Sequence, residues 1–102
     1  MFKKGQELLD GEKLAMGDLV VTQGHVFVVS DVEKSLLIEA TGYGDGYGRV
    51  HEIALKDRVD VKNYKELLER RKKNKPTITM FRKDRSKGQP REFKIMRLIS
   101  YA

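Results

Sequence analysis

One stretch constrains this chain more than any other: Gly17-Asp18-Leu19-Val20-Val21-Thr22-Gln23-Gly24-His25-Val26-Phe27-Val28-Val29-Ser30. Two apolar runs rich in β-branched residues flank a Gln-Gly pair, which is the pattern of a β-hairpin. Strand alternation puts His25 on one face with Phe27 and Val29, and Val26 and Val28 on the other. A histidine at the mouth of an apolar strand is either a hydrogen-bonded structural residue or a proton-transfer group, because imidazole titrates near neutral pH. With this hairpin set, Ser35-Leu36-Leu37-Ile38-Glu39-Ala40-Thr41 reads as a third strand. The polar residues Asp31 to Lys34 make the short connection that antiparallel pairing requires.

The flanking segments follow from the same rules. Residues 3–16 read as a connecting segment, with Leu14 and Met16 tucked under the sheet. Arg49-Val50-His51-Glu52-Ile53 is a fourth strand, with Arg49, His51 and Ile53 on one face. Leu55 to Val61 reads as a turn or short helix. Asn63 then caps a helix whose Tyr64, Leu67, Leu68 and Arg71 recur at i, i+3, i+4, i+7. Its cationic end suits a helix C-terminus, and Pro76 stops it. Thr77 to Arg82 is a strand, Lys83 to Pro90 a polar loop, and Phe93 to Ile99 the last strand, paired with 77–82 as a hairpin. The fold class is therefore α+β: an antiparallel sheet of about five or six strands with one or two helices, or else a small barrel.

Between the third and fourth strands lies Gly42-Tyr43-Gly44-Asp45-Gly46-Tyr47-Gly48. Its spacing resembles a phosphate-binding loop, but no helix follows it and no Lys-Ser/Thr pair ends it. Glycines permit close backbone approach, and tyrosines offer flat hydrogen-bonding surfaces. The segment is either a wide turn or one wall of a substrate groove; in the second case Tyr43, Tyr47 and Arg49 are the substrate-binding candidates.

Composition excludes several chemistries. The 102 residues contain no cysteine, which removes disulfides, thiolate metal sites and a cysteine nucleophile from this chain. Two histidines build no zinc site without carboxylate help, so neither a metal nor a cofactor is expected. No run approaches the ~20 apolar residues of a membrane span, and the start Met1-Phe2-Lys3-Lys4-Gly5 does not lead into a secretory signal. A cell-envelope location would require a longer secreted protein; otherwise the chain is cytoplasmic. Residues 1–59 hold 7 Lys/Arg against 10 Asp/Glu, and residues 60–102 hold 14 against 5. An acidic half and a basic half point to two surfaces with different partners.

Taken in order, Leu14-Ala15-Met16-Gly17-Asp18-Leu19-Val20, Gly24-His25-Val26, Leu37-Ile38-Glu39-Ala40 and Gly48-Arg49-Val50-His51 resemble the NlpC-type cell-wall cysteine peptidases. These are papain-like enzymes that cut the peptide stems of bacterial peptidoglycan. The similarity covers roughly residues 5–55 and, more loosely, the closing Phe93–Ile99 strand. In that family a Gly-Asp-Leu turn precedes a strand, and the next strand opens on the catalytic histidine. The following strand carries a polar residue just before an alanine. The resemblance implies that His25 is the general base and that Glu39 is the orienting third residue, a position often held by histidine in the family. A carboxylate there accepts the imidazole N–H and fixes the tautomer; the alternative for Glu39 is an ordinary solvated strand carboxylate. His51 is either a further partner of this pair or a plain strand residue.

The departure lies in the nucleophile. The family places a cysteine at the start of a helix N-terminal to these motifs, where the helix end lowers the thiol pKa. No residue here replaces it, since Ser30, Ser35, Ser86 and Ser100 fall in strands, turns or the tail. The resemblance thus implies a single partial NlpC-like domain over 1–102, either a peptidase fragment or a non-catalytic relative, inactive alone. Its partner would be a peptidoglycan stem peptide once a cysteine-bearing segment completes it. Self-association follows if the sheet is left with a bare apolar face. The alternative is a small basic β-barrel that binds nucleic acid or an acidic partner through its C-terminal cations and Phe81, Phe93 and Tyr101.

Overall fold

A computed structural model describes residues 2–8, 13–41, 49–82 and 86–101. The strands are β1 (Phe2–Glu7), β2 (Leu19–Thr22), β3 (His25–Asp31), β4 (Leu36–Thr41), β5 (Arg49–Ala54), β6 (Thr77–Ile78) and β7 (Arg91–Tyr101). Two helices, α1 (Leu55–Arg58) and α2 (Tyr64–Arg71), lie between β5 and β6. The sheet is antiparallel throughout, in the order β1-β7-β2-β3-β4-β5, with β6 also pairing with β7. The molecule is an α+β domain dominated by its sheet.

The central hairpin forms where its residue pattern places it. Thr22 pairs with His25 across the Gln23-Gly24 turn. Gly24 sits at φ +83, a conformation that side chains with a Cβ rarely adopt. Alternation then sorts the strands into two faces. Val20, Phe27, Val29, Leu37, Phe93 and Ile95 point inward and are buried, together with Leu55, Val59, Tyr64 and Leu67 from the helical segment. This face is the core.

The helical segment is tied down by a few specific bonds. The Asn63 side chain accepts from the Glu66 backbone N–H at 2.9 Å, and Glu66 accepts in turn from Lys62 N–H at 2.7 Å. These bonds satisfy donors that a helix start leaves open. The buried Tyr64 hydroxyl donates to the Leu36 carbonyl at 2.8 Å, fixing α2 against β4. The Gly17-Asp18 turn is fixed by charge. Asp18 is buried, and its carboxylate accepts from both Arg97 Nε and a second Arg97 guanidinium N–H at 2.9 Å, and from Ala15 N–H at 2.9 Å.

Four expectations are corrected. Residues 2–7 are not a connection but β1, which pairs with the far end of β7 from Phe2↔Tyr101 to Glu7↔Met96. This ladder is non-local, and a Lys-Lys-Gly-Gln run shows no alternation that betrays it. Leu14 is buried as expected, but Met16 is 78% exposed. The 77–82 strand shortens to Thr77–Ile78 because Thr79 turns to another partner. Its N–H donates to the Asp60 carboxylate at 2.9 Å, and its carbonyl accepts from Asp60 N–H at 3.1 Å. Beyond it, among the described residues, the isolated bridges Val59↔Met80 and Phe81↔Lys87 remain. Finally, β7 is longer than 93–99, since β1 and β6 both extend its pairing.

Candidate functional site

Glu39 is the anomaly of the core face. It follows Leu37 by two residues on β4, so the pleat turns it inward with the apolar side chains, and it is 3% exposed. A carboxylate in such a place must be hydrogen-bonded and charge-compensated. Among the described residues, three donors meet it. His25 Nε2 lies 2.8 Å from Oε2, Arg58 Nε lies 2.8 Å from Oε1, and His51 Nε2 lies 3.5 Å from Oε1.

Each donor is delivered by a separate element. The pairing Val28↔Ile38 and Val29↔Leu37 sets the β3–β4 register. Continued toward the β2–β3 turn, it puts Glu39 opposite Phe27 and His25 two residues further on, on the same face. On the other side, β5 places His51 directly opposite Glu39. After β5, α1 turns the chain so that Arg58 reaches the inner face. There its guanidinium also donates to the Phe81 carbonyl, while Phe81 N–H donates to the Arg58 carbonyl at 2.7 Å. Arg58 is thus clamped between a carboxylate and a backbone segment.

Burial pushes the Glu39 carboxyl up, but the His25 hydrogen bond, the Arg58 charge and hydrogen bond and the His51 contact outweigh it, bringing it down to about 2. Glu39 is therefore a carboxylate, an acceptor only, throughout the neutral range. The His25 ring keeps a quarter of its side-chain surface exposed, whereas the Glu39 side chain is sealed. The arrangement can hold an imidazole in one orientation and stabilise it when it takes a proton.

The structure brings together His25 and Glu39, the two residues that the resemblance paired, and Glu39 is not a solvated strand carboxylate. His51 joins them at the longest of the three distances and is half-exposed. Arg49 opens β5 opposite Thr41, with its side chain outside the described residues. Tyr43 and Tyr47 lie wholly outside the described residues. Arg58 was missed by sequence reasoning, because nothing local marks the last residue of a four-residue helix as the partner of a strand carboxylate. The signal available was indirect: an inward-facing glutamate requires a cation, and the chain offers several.

Among the described residues, no group of three or more His, Cys, Asp or Glu side chains is arranged to hold a metal ion, and no helix is long and apolar enough to cross a membrane. Several cations assigned to a polyanion surface have structural partners instead. Arg70 binds the Asp60 carboxylate at 2.8 Å, Arg71 donates to the Leu8 carbonyl, and Arg91 donates to the Gln23 carbonyl. The sheet path runs from β1 to β5 without those two strands pairing, so the described strands form an open sheet rather than a closed barrel. No protein-family profile, curated protein or solved structure matches this chain.

Proposed function

We propose that His25 and Glu39 form the proton-transfer half of a papain-like amide-hydrolysing site of the NlpC type. The nucleophile would come from a cysteine-bearing segment that these 102 residues do not include. The observation that supports this reading is the 2.8 Å bond from His25 Nε2 to a sealed, ionised Glu39. With Nε2 donating to Glu39, Nδ1 is the nitrogen left to accept a proton.

In the completed site, His25 Nδ1 takes the thiol proton and the thiolate attacks the carbonyl carbon of a stem-peptide amide. The same nitrogen then gives the proton to the leaving amine, and water releases the acyl group from sulfur. Glu39 keeps the ring oriented and offsets the imidazolium charge that appears between these steps. The chain by itself lacks the covalent step. On this reading the chain works as one part of such a peptidase or as a binding relative of one.

The test is cleavage of peptidoglycan stem peptides followed by mass spectrometry. The 102-residue chain is expected to release no product. A fusion that presents a cysteine at a helix N-terminus facing His25 is expected to cleave, and His25→Ala is expected to abolish that cleavage. Hydrolysis by the isolated chain that survives His25→Ala would overturn the proposal.

A further inference from the structure

The Glu39 carboxylate carries one negative charge and meets three groups that can carry a positive one. Among the described residues these are His25 from β3, His51 from β5 and Arg58 from α1. Only the guanidinium is charged under all conditions in which a protein is folded. The neighbouring β2–β3 turn contributes the neutral Thr22 and Gln23, and the Arg91 charge from β7 is directed at the Gln23 carbonyl. The charge balance of the site therefore rests on which cation serves Glu39.

A sealed carboxylate requires a counter-charge. Were an imidazole to supply it, His25 would be held as an imidazolium, with both nitrogens protonated and nothing left to accept a proton. The geometry gives that duty to Arg58. Its Nε lies 2.8 Å from Oε1, on the oxygen that His25 does not use, and its other arm is fixed by the Phe81 carbonyl. His51 shares Oε1 only at 3.5 Å and from a half-exposed position, which makes it the weaker claimant.

We infer that Arg58 is a positioning residue that acts as the permanent counter-ion of Glu39. It leaves Oε2 to accept the Nε2 proton of a neutral His25 and keeps the Nδ1 lone pair free. Arg58 touches neither substrate nor nucleophile in this role; it sets the protonation and tautomer of the histidine that does. The inference rests on reading His25 as the base of the site. Its test needs no nucleophile and no cleavage, so it succeeds or fails apart from the hydrolysis experiment.

The experiment is NMR of the ring nitrogens in the 102-residue chain labelled with 15N-histidine. The two histidines are assigned with His51→Gln. At about pH 7.5, His25 is expected to carry its proton on Nε2, which faces Glu39, and none on Nδ1. In Arg58→Met the imidazolium is expected to persist to higher pH than in the parent, because the cation beside Glu39 is gone. Arg58→Lys retains a cation and is expected to stay close to the parent. A purely structural arginine would alter stability and leave the ring protons unchanged, so an unshifted His25 in folded Arg58→Met overturns the inference. If Arg58→Met collapses to an unfolded amide spectrum, the parent and Arg58→Lys decide. An Nε2–H tautomer in both supports the inference, and an imidazolium or an Nδ1–H tautomer in the parent at about pH 7.5 overturns it.

Discussion

Glu39 shows how one side chain links stability to pH. Its carboxyl is lowered from an ordinary 4.5 to about 2 in the folded chain. Between these values the unfolded chain binds a proton that the folded chain does not, so stability rises with pH across this window. The contribution, about 3 kcal/mol, is fully present above pH 4.5 and is lost as pH falls through about 2. Urea midpoints measured from pH 6 down to about pH 2 are expected to fall steeply for the parent, and less steeply for Glu39→Gln. The same variant tests orientation. A carboxylate offers one oxygen to His25 and the other to Arg58, whereas the amide has a single oxygen and turns an NH2 toward one of two donors. In a completed site, Glu39→Gln is expected to reduce cleavage by less than His25→Ala does, because a hydrogen bond to the ring remains available while the charge is gone. An equal loss in the two variants would argue that the charge of Glu39, rather than its hydrogen bond, is what His25 requires.

Elements form here for reasons of unequal reach. The β2–β3 hairpin and α2 are written locally, one by alternation around a glycine turn and the other by helical spacing behind a cap. The cap carries a measurable share of stability. Asn63→Ala is expected to cost about 1 kcal/mol in a urea melt, since it leaves the Glu66 N–H without its acceptor. A change within experimental error would mean that water takes over the role at no cost. β4 and β5 are local as strands, yet their register is what lines up His25, Glu39 and His51. The register shift between Val29 and Asp31 belongs to this arrangement. It lets Val29 and Leu37 pair inward, while Ser30 donates to Glu52. A one-residue slip of β4 would carry Glu39 to the other face and dissolve the site.

At the scale of the whole molecule, the sheet has two faces with different fates. The inner face is covered by α1, α2 and their flanking segments, and it holds His25. The outer face carries Leu19, Val21, Val26, Val28, Ile38 and Val50, of which Val26 is 47% and Val50 74% exposed. An apolar face was expected to lie bare where a cysteine-bearing helix is missing. The exposed valines instead lie on the face opposite His25, so a helix that meets His25 does not cover them. Self-association through this outer face is expected at high concentration, because contiguous exposed apolar surface is unfavourable in water. Sedimentation velocity should show a concentration-dependent shift that Val50→Lys suppresses, and Val50→Lys should leave cleavage by a completed site unchanged. A chain that stays monomeric at every concentration would rule this out, and a loss of cleavage in Val50→Lys would mean that the two faces are coupled.

By itself the sequence determined what short-range physics controls. Alternation and a glycine turn gave β2, β3 and the facing of His25, and spacing and capping residues gave α2; Glu39 was singled out only through the family resemblance, and its burial came from the fold. Tertiary structure alone decided the pairings between distant segments. The β1–β7 ladder joins the two ends of the described chain, Asp18 meets Arg97 across most of its length, and Asp60 draws Thr79 away from β7. Arg58 belongs with these. A buried carboxylate dictates that some cation must come, but which one arrives depends on how α1 turns over the sheet. The physical reason is common to all of them: a long-range contact is selected by the compensation of charge and backbone hydrogen bonds in the folded core, and residues adjacent in the chain carry no trace of it.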